Sequence, residues 1–245
     1  MTAVSRVPKL HELKTKIFSD GADINSIVDA YEKGVCRGFT TNPTLMARAG
    51  ITNYVAFAKQ VLHVVTDLPV SFEVFSDDFD EMRDQARQIS ALGSNVYVKI
   101  PVTNTKGDSA AALINELHCA HIKLNVTAIL SLRQVREVYE VLNPGVPAFV
   151  SVFAGRIADT GRDPLPIMRE SLEVLRPKPR AELLWASPRE AYNLMQAELI
   201  GCPIITMTPD LLAKASKFAM DLDELSLDTV KMFYNDAVKS GFTIR

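Results

Sequence analysis

A single lysine interrupts an otherwise apolar run, Asn95-Val-Tyr-Val-Lys-Ile-Pro-Val-Thr103. Val96, Val98 and Ile100 are β-branched and Pro101 closes the segment, so the run predicts a short buried strand. Most lysines lie where water reaches their ammonium group. Inside a sheet, desolvation disfavours the charged form, and a neutral amine attacks carbonyls to give a Schiff base. Lys99 is therefore the candidate nucleophile. Residues that could serve such chemistry stand near the ends of other apolar runs: Asp20, Asn42, Glu73, Asn125 with Thr127, Ser151 and Ser187. Carboxylates would move protons, while amides and hydroxyls would hold a polyol. Buried charges need partners, and Asp20 and Glu73 are the available ones. A structural ion pair is the commoner reason for one lysine beside one carboxylate, but it leaves the other polar strand ends without a reason.

The elements that must position these groups alternate along the chain. Strands are expected at residues 16–20, 38–42, 69–75, 95–103, 121–127, 147–153, 182–187 and 203–207. Helical stretches are expected at about 23–33, up to 66 from an Asn53 cap, after Asp77 and Asp78 to Gly93, 108–118, 131–142, 164–175 and 188–200. Asp and Asn are good helix N-caps and Gly34 and Gly93 are stop signals. Eight strands, each followed by a helix, read as a single α/β domain, a (β/α)8 TIM barrel over 1–245. Residues 1–15 form an N-terminal extension and 218–245 a C-terminal helical tail. A barrel places its chemistry at the C-terminal ends of its strands, and the polar residues above fall there. Strand alternation puts Asn125 with Thr127, and Ser151 with Phe153, on common faces.

A net charge of −2 offers no electrostatic footprint for nucleic acid or an anionic membrane. Three scattered cysteines do not make a disulfide framework and point to a reducing compartment. No apolar run approaches transmembrane length, and the first sixteen residues hold no signal-peptide core. A cytoplasmic location is expected. His118-Cys-Ala-His121 carries metal-ligand residue types without a third cluster, so no metal is expected. No dinucleotide fingerprint or Walker loop is present, and no cofactor is called for. Cys36 and Cys202 are expected to be packing residues, and Trp185 to pack in the barrel.

A phosphate site can be argued from Ser187-Pro-Arg189. Serine before proline reads as an N-cap with proline at the first helical position, and such a helix start attracts anions. Arg189 in that first turn would oppose the helix dipole unless an anion lay nearby. Arg156, just past the sixth strand, could reach the same rim, although Asp159 could instead pair with it.

Taken in order, the strand-one end at Asp20, Thr40-Thr-Asn-Pro43, Phe72-Glu-Val74, Val98-Lys-Ile-Pro-Val-Thr103, Asn125-Val-Thr127, Ser151-Val-Phe-Ala-Gly-Arg-Ile157 and Ala186-Ser-Pro-Arg189 resemble the successive motifs of the transaldolase family. That family includes the fructose-6-phosphate aldolases. The resemblance spans roughly residues 17 to 215, and it implies a class I mechanism with Lys99 attacking a ketose at C2. It further implies that Asp20 exchanges a proton with the C4 hydroxyl and that Glu73 and Thr127 hold a water during dehydration. Asn42, Asn125 and Ser151 would hold the hydroxyls of the three-carbon fragment. Glu73 and Phe153 resemble the transferase branch, where the aldolase branch is similar to glutamine and tyrosine. The expected activity is transfer of a dihydroxyacetone unit between sugar phosphates. A lyase releasing free dihydroxyacetone is the alternative, and a non-catalytic sugar-phosphate binder a distant third. Pro188 in place of an aromatic, the polar 104–108 loop and the Gly-Ala-Asp after Asp20 depart from the family pattern on the substrate-facing rim.

In the tail, a helix from a Ser226 cap to about Lys239 would carry Val230, Phe233, Tyr234 and Ala237 on one face. That stripe needs a partner surface. It packs either on its own barrel or, as short members of the family imply, on another subunit of a homo-oligomer.

Overall fold

The computed structural model describes residues 7–244. Eight parallel strands close into a barrel in chain order. They are β1 (Lys16–Asp20), β2 (Phe39–Thr40), β3 (Val70–Glu73), β4 (Val96–Pro101), β5 (Leu124–Ile129), β6 (Ala148–Val152), β7 (Ala181–Trp185) and β8 (Ile204–Met207). The helices between them are α1 (Ile24–Glu32), α2 (Pro43–Arg48), α3 (Tyr54–Val64), α4 (Phe79–Ser90), α5 (Ala111–Cys119) and α6 (Leu132–Val141). There follow α7 (Ala154–Ala158), α8 (Leu165–Leu175) and α9 (Tyr192–Ile200), with α10 (Pro209–Ala215) and α11 (Leu222–Ser240) after the last strand. This is the expected TIM barrel with an additional C-terminal helix. The first six residues of the expected N-terminal extension lie outside the described residues.

Period-two alternation sorts the strand side chains into two layers. Val70, Phe72, Val96, Val98, Ile100, Val126, Val150 and Trp185 face outward and join the main core beneath the helices. A smaller cluster of Phe18, Phe149, Leu184, Ala186 and Ile204, with Tyr97 against it, fills the interior. Tyr97 stacks on Phe149 with ring centroids 4.1 Å apart, and Phe149 meets Phe18 edge-on at 5.4 Å. These rings plug the barrel below its C-terminal mouth.

Several helix starts follow the expected caps. Asp23, Asn53, Asp78 and Ser131 each accept a first-turn backbone N–H. Other boundaries move for identifiable reasons. His121 adopts φ 62° in the turn leaving α5, so β5 starts only at Leu124. Asp108 belongs to a loop closed by its contacts with Asn104, and α5 starts at Ala111. The tail helix is capped by Asp221, which accepts from Asp223 N and Glu224 N, rather than by Ser226. Asp223 and Glu224 also favour this earlier start by lying at the positive end of the helix dipole. None of the side chains of α11 is buried. Its apolar residues, including Leu227, Val230, Phe233, Tyr234 and Val238, are exposed, so the stripe does not pack on its own barrel. Trp185 is fully buried but on the outer face of β7, under the helices rather than inside the barrel.

Candidate active site

The C-terminal mouth of the barrel opens into a cavity of about 580 Å³. Its walls bring together Lys99, Asp20, Glu73, Thr127, Asn42, Asn125, Ser151, Phe153, Arg156, Ser187 and Arg189. Register explains why the central groups meet: Glu73 lies opposite Lys99 across β3 and β4, and Lys99 lies opposite Asn125 across β4 and β5. Inward residues at one level on neighbouring strands are in contact reach.

Lys99 is 7% exposed. Its Nζ lies 3.0 Å from Glu73 Oε2 and donates to the Thr41 carbonyl at 3.0 Å. Glu73 is thus a base within direct reach of the amine. Tyr54 Oη donates to the Glu73 carbonyl at 2.7 Å, fixing the end of β3 from outside the barrel. Burial pushes the Tyr54 hydroxyl well above its usual value, with the Glu73 charge adding to the rise. Asp20 accepts from Thr40 Oγ1 at 2.7 Å. Its carboxyl is raised above the ordinary 3.8 by burial, against the opposing pull of Lys99 and the Thr40 hydroxyl, while Glu73 raises it further.

A second layer holds the polar wall. Ser151 Oγ donates to Asn125 Oδ1 at 2.6 Å, and Asn125 Nδ2 donates to Ser71 Oγ at 3.0 Å. This chain fixes the Asn125 amide and commits the Ser151 proton, leaving Ser151 an acceptor toward any hydroxyl in the cavity. Asn42 caps α2 by accepting from Leu45 N at 2.9 Å, so its amide N–H groups remain for a ligand. Thr127 Oγ1 is buried without a protein hydrogen-bond partner. Its strand is irregular here: the β5–β6 register shifts between Val126 and Ile129, and Ala128 takes φ 60°. Left-handed backbone at a non-glycine residue is costly and clusters at functional sites.

The rim differs from its sequence reading. Ser187 is not an N-cap: it adopts φ 58°, in the left-handed region, and α9 begins only at Tyr192. The helix-start argument for anion binding therefore fails, because the chain after Pro188 does not enter a helix until Tyr192. Arg189 lies in the loop, where its Nε donates to Asp159 Oδ1 and Oδ2 at 3.0 and 3.1 Å and its terminal nitrogen to Oδ2 at 2.5 Å. These bonds hold the Asp159 carboxyl below its usual range. Asp159 thus pairs with Arg189 rather than with Arg156, the partner that the sequence left open. The Arg156 guanidinium instead stands over the Phe153 ring at 5.5 Å. Gly155 lets α7 approach the loop after β7, since an added Cβ would stand 1.6 Å from the Ser187 carbonyl oxygen.

Sequence reasoning missed Arg48, Thr206 and Ser71. Arg48 and Thr206 line the same cavity. The alternation Ile204, Thr206 against Ile205, Met207 would have found Thr206; nothing local marks Arg48, an exposed residue ending a short helix. The ring nitrogens of His118 both meet backbone, Asn143 N at 2.8 Å and Pro147 O at 3.4 Å, which ties α5 to the start of β6. Burial pushes the Cys36 thiol up to about 11 and the Cys202 thiol to about 12.

A family model described as transaldolase/fructose-6-phosphate aldolase matches residues 17–244. The chain belongs to this family. Similar curated proteins named "Probable transaldolase" include one from Caldicellulosiruptor saccharolyticus, 32% identical and covering 84% of this chain and 91% of its own length. One from Thermoplasma volcanium is 34% identical over 78% of this chain and 83% of its own. One from a Thermoanaerobacter species is 31% identical over 94% of this chain and all of its own. Solved structures at far lower identity share the fold alone. A 2,3-dimethylmalate lyase superposes with a TM-score of 0.57 at 12% identity, covering 95% of this chain and 86% of that one. A mandelate oxidase mutant superposes with 0.55 at 13%, covering 86% and 71%. The family member described here is thus an aldolase- or transaldolase-type enzyme. Among its described residues no helix is long and apolar enough to cross a membrane.

Proposed function

We propose that this enzyme is a Schiff-base transaldolase, moving a dihydroxyacetone unit from a ketose phosphate to an aldose phosphate. The observation that carries this reading is a buried amine, Lys99 Nζ, 3.0 Å from the Glu73 carboxylate in a cavity that also holds Asp20. Glu73 takes a proton from the ammonium, and the freed amine adds to the C2 carbonyl. Glu73 and the otherwise unpartnered Thr127 hydroxyl hold the water that leaves as the carbinolamine becomes an iminium ion. Asp20 takes the C4 hydroxyl proton; the C3–C4 bond breaks, and its electron pair flows to the iminium nitrogen to give an enamine. The aldehyde departs while Asn42, Asn125 and Ser151 retain the three-carbon fragment. An acceptor aldehyde then takes the enamine carbon, Asp20 returns its proton, and hydrolysis releases the new ketose. Arg156 and Arg189 on the rim bind the phosphate of donor and acceptor in turn.

Phe153 favours transfer over release. Its phenyl ring on the cavity wall has no proton to quench the enamine, which therefore persists until an acceptor arrives. Assay of a ketose phosphate with and without an aldose phosphate tests this: turnover should require the acceptor. Full turnover without it identifies the lyase alternative, with free dihydroxyacetone as product. Borohydride reduction during turnover should attach a three-carbon fragment to the peptide containing Lys99.

The exposed apolar stripe of α11 supports a homo-oligomer in which a second copy of this chain covers it. A monomeric sedimentation profile at micromolar concentration would remove that assignment. The groups of the site imply no cofactor, metal or nucleic acid, and the cytoplasm is the proposed location.

A further inference from the structure

Thr206 has no part in the scheme above, yet its hydroxyl is buried in the same cavity, 2.6 Å from Thr40 Oγ1. Thr40 Oγ1 in turn donates to Asp20 Oδ1 at 2.7 Å. The two threonines come from β8 and β2, the strands that flank β1, so their hydroxyls meet from either side of the strand that carries Asp20. A threonine hydroxyl has one proton to give. While Asp20 is ionised, the Thr40 proton lies on its carboxylate, and the short contact with Thr206 must then be donated by Thr206. When Asp20 has taken the substrate proton on its other oxygen, Thr40 still donates to Oδ1, but to a neutral acceptor and more weakly. The threonine chain therefore favours the ionised carboxyl over the protonated one.

We propose that Thr206 is a positioning residue for the proton-transferring carboxyl, acting through Thr40 to orient Asp20 and to support its ionised form. This rests on the reading that Asp20 moves the C4 hydroxyl proton. Hydrogen bonds in a chain polarise one another, so the donation from Thr206 strengthens the bond Thr40 makes to the carboxylate. The charged groups acting on Asp20 are Lys99 from β4 and Glu73 from β3. Neither is altered by substitution at Thr206.

Four variants test this: Thr206→Val keeps the side-chain shape without the hydroxyl, and Thr206→Ser keeps the hydroxyl without the methyl. Thr206→Ala, compared with Thr206→Ser, isolates the hydroxyl again should the valine variant not fold. Thr40→Val removes the intermediate link. The measurements are kcat/KM against pH for the ketose phosphate and borohydride trapping at Lys99. Thr206→Val should move the acid limb to higher pH, with a loss of about threefold on that side of the optimum, and Thr206→Ser should keep the wild-type limb. Thr40→Val should move the limb further in the same direction. Trapping at Lys99 should survive in all four. A packing role predicts the reverse order, serine worse than valine with the limb unmoved, and that result overturns the proposal. Absence of a trapped adduct in the wild type overturns the lysine mechanism, and the role of Thr206 falls with it. A trapped adduct with an unmoved limb in Thr206→Val and Thr206→Ala overturns the role of Thr206 alone.

Discussion

The barrel carries a lysine–glutamate pair at each end, and among the described residues the candidate catalytic groups gather around one of them. At the N-terminal mouth Lys16 Nζ meets Glu182 Oε1 at 2.5 Å, with side chains 41% and 31% exposed. At the C-terminal mouth Lys99 meets Glu73 at 3.0 Å, with side chains 9% and 18% exposed. The ion pair is therefore not what distinguishes the candidate nucleophile. What differs is the surroundings: aromatic packing lies between the two ends, and the cavity with a second carboxyl and fixed hydroxyls opens at the C-terminal mouth. A surface ion pair is worth little, whereas removing one partner of a buried pair leaves a charge without compensation.

Substitutions at the two ends sharpen this contrast. Lys99→Ala should lower turnover at least about a thousandfold and abolish borohydride trapping; unchanged turnover breaks the contrast outright. On the rim, Arg189→Ala should raise KM for a phosphorylated ketose by about ten- to a hundredfold. The unphosphorylated analogue should be turned over as before, which separates anion binding from chemistry. Asp20→Asn should be nearly inactive yet more stable than the wild type at neutral pH, by on the order of 1 kcal/mol. The sign follows from the raised carboxyl of Asp20. Its contribution to folding is complete below the ordinary value of 3.8 and is lost as pH rises through the raised folded value. Denaturant titrations across that range should therefore show the advantage of asparagine growing with pH and vanishing in acid. The smallest effect belongs to Lys16→Met at the other mouth, where activity should persist and stability change by no more than about 1 kcal/mol.

A contrast between strand and loop governs what the sequence disclosed. Lys99, Glu73, Asn125 and Asp20 sit on strands, where alternation fixes the face and the barrel rule fixes the end, so their convergence was legible from spacing. Ser187, Arg189 and Asp159 sit on loops, whose backbone obeys no period. The Ser-Pro-Arg run reads as a helix cap, and nothing local in it announces the left-handed turn that it adopts beside Gly155. The partner of Asp159 likewise depends on how two loops lie beside each other, and the sequence left open which arginine would take that place. Thr206 was readable by the strand rule, but its partner on β2 was not, because hydroxyl contacts depend on rotamers that no pattern records. The helix α11 was legible as an amphipathic element, although its cap lay a turn earlier than the serine that suggested it.

The seam between β1 and β8 has a consequence for biosynthesis. A chain emerging from the ribosome presents Lys99 long before it presents Thr206, and Asp20 then stands on a strand with one edge unpaired. The amine and its carboxyls share a walled space only after the last strand docks against the first. On the proposed Schiff-base reading, competence for carbonyl chemistry therefore waits until synthesis has passed the eighth strand.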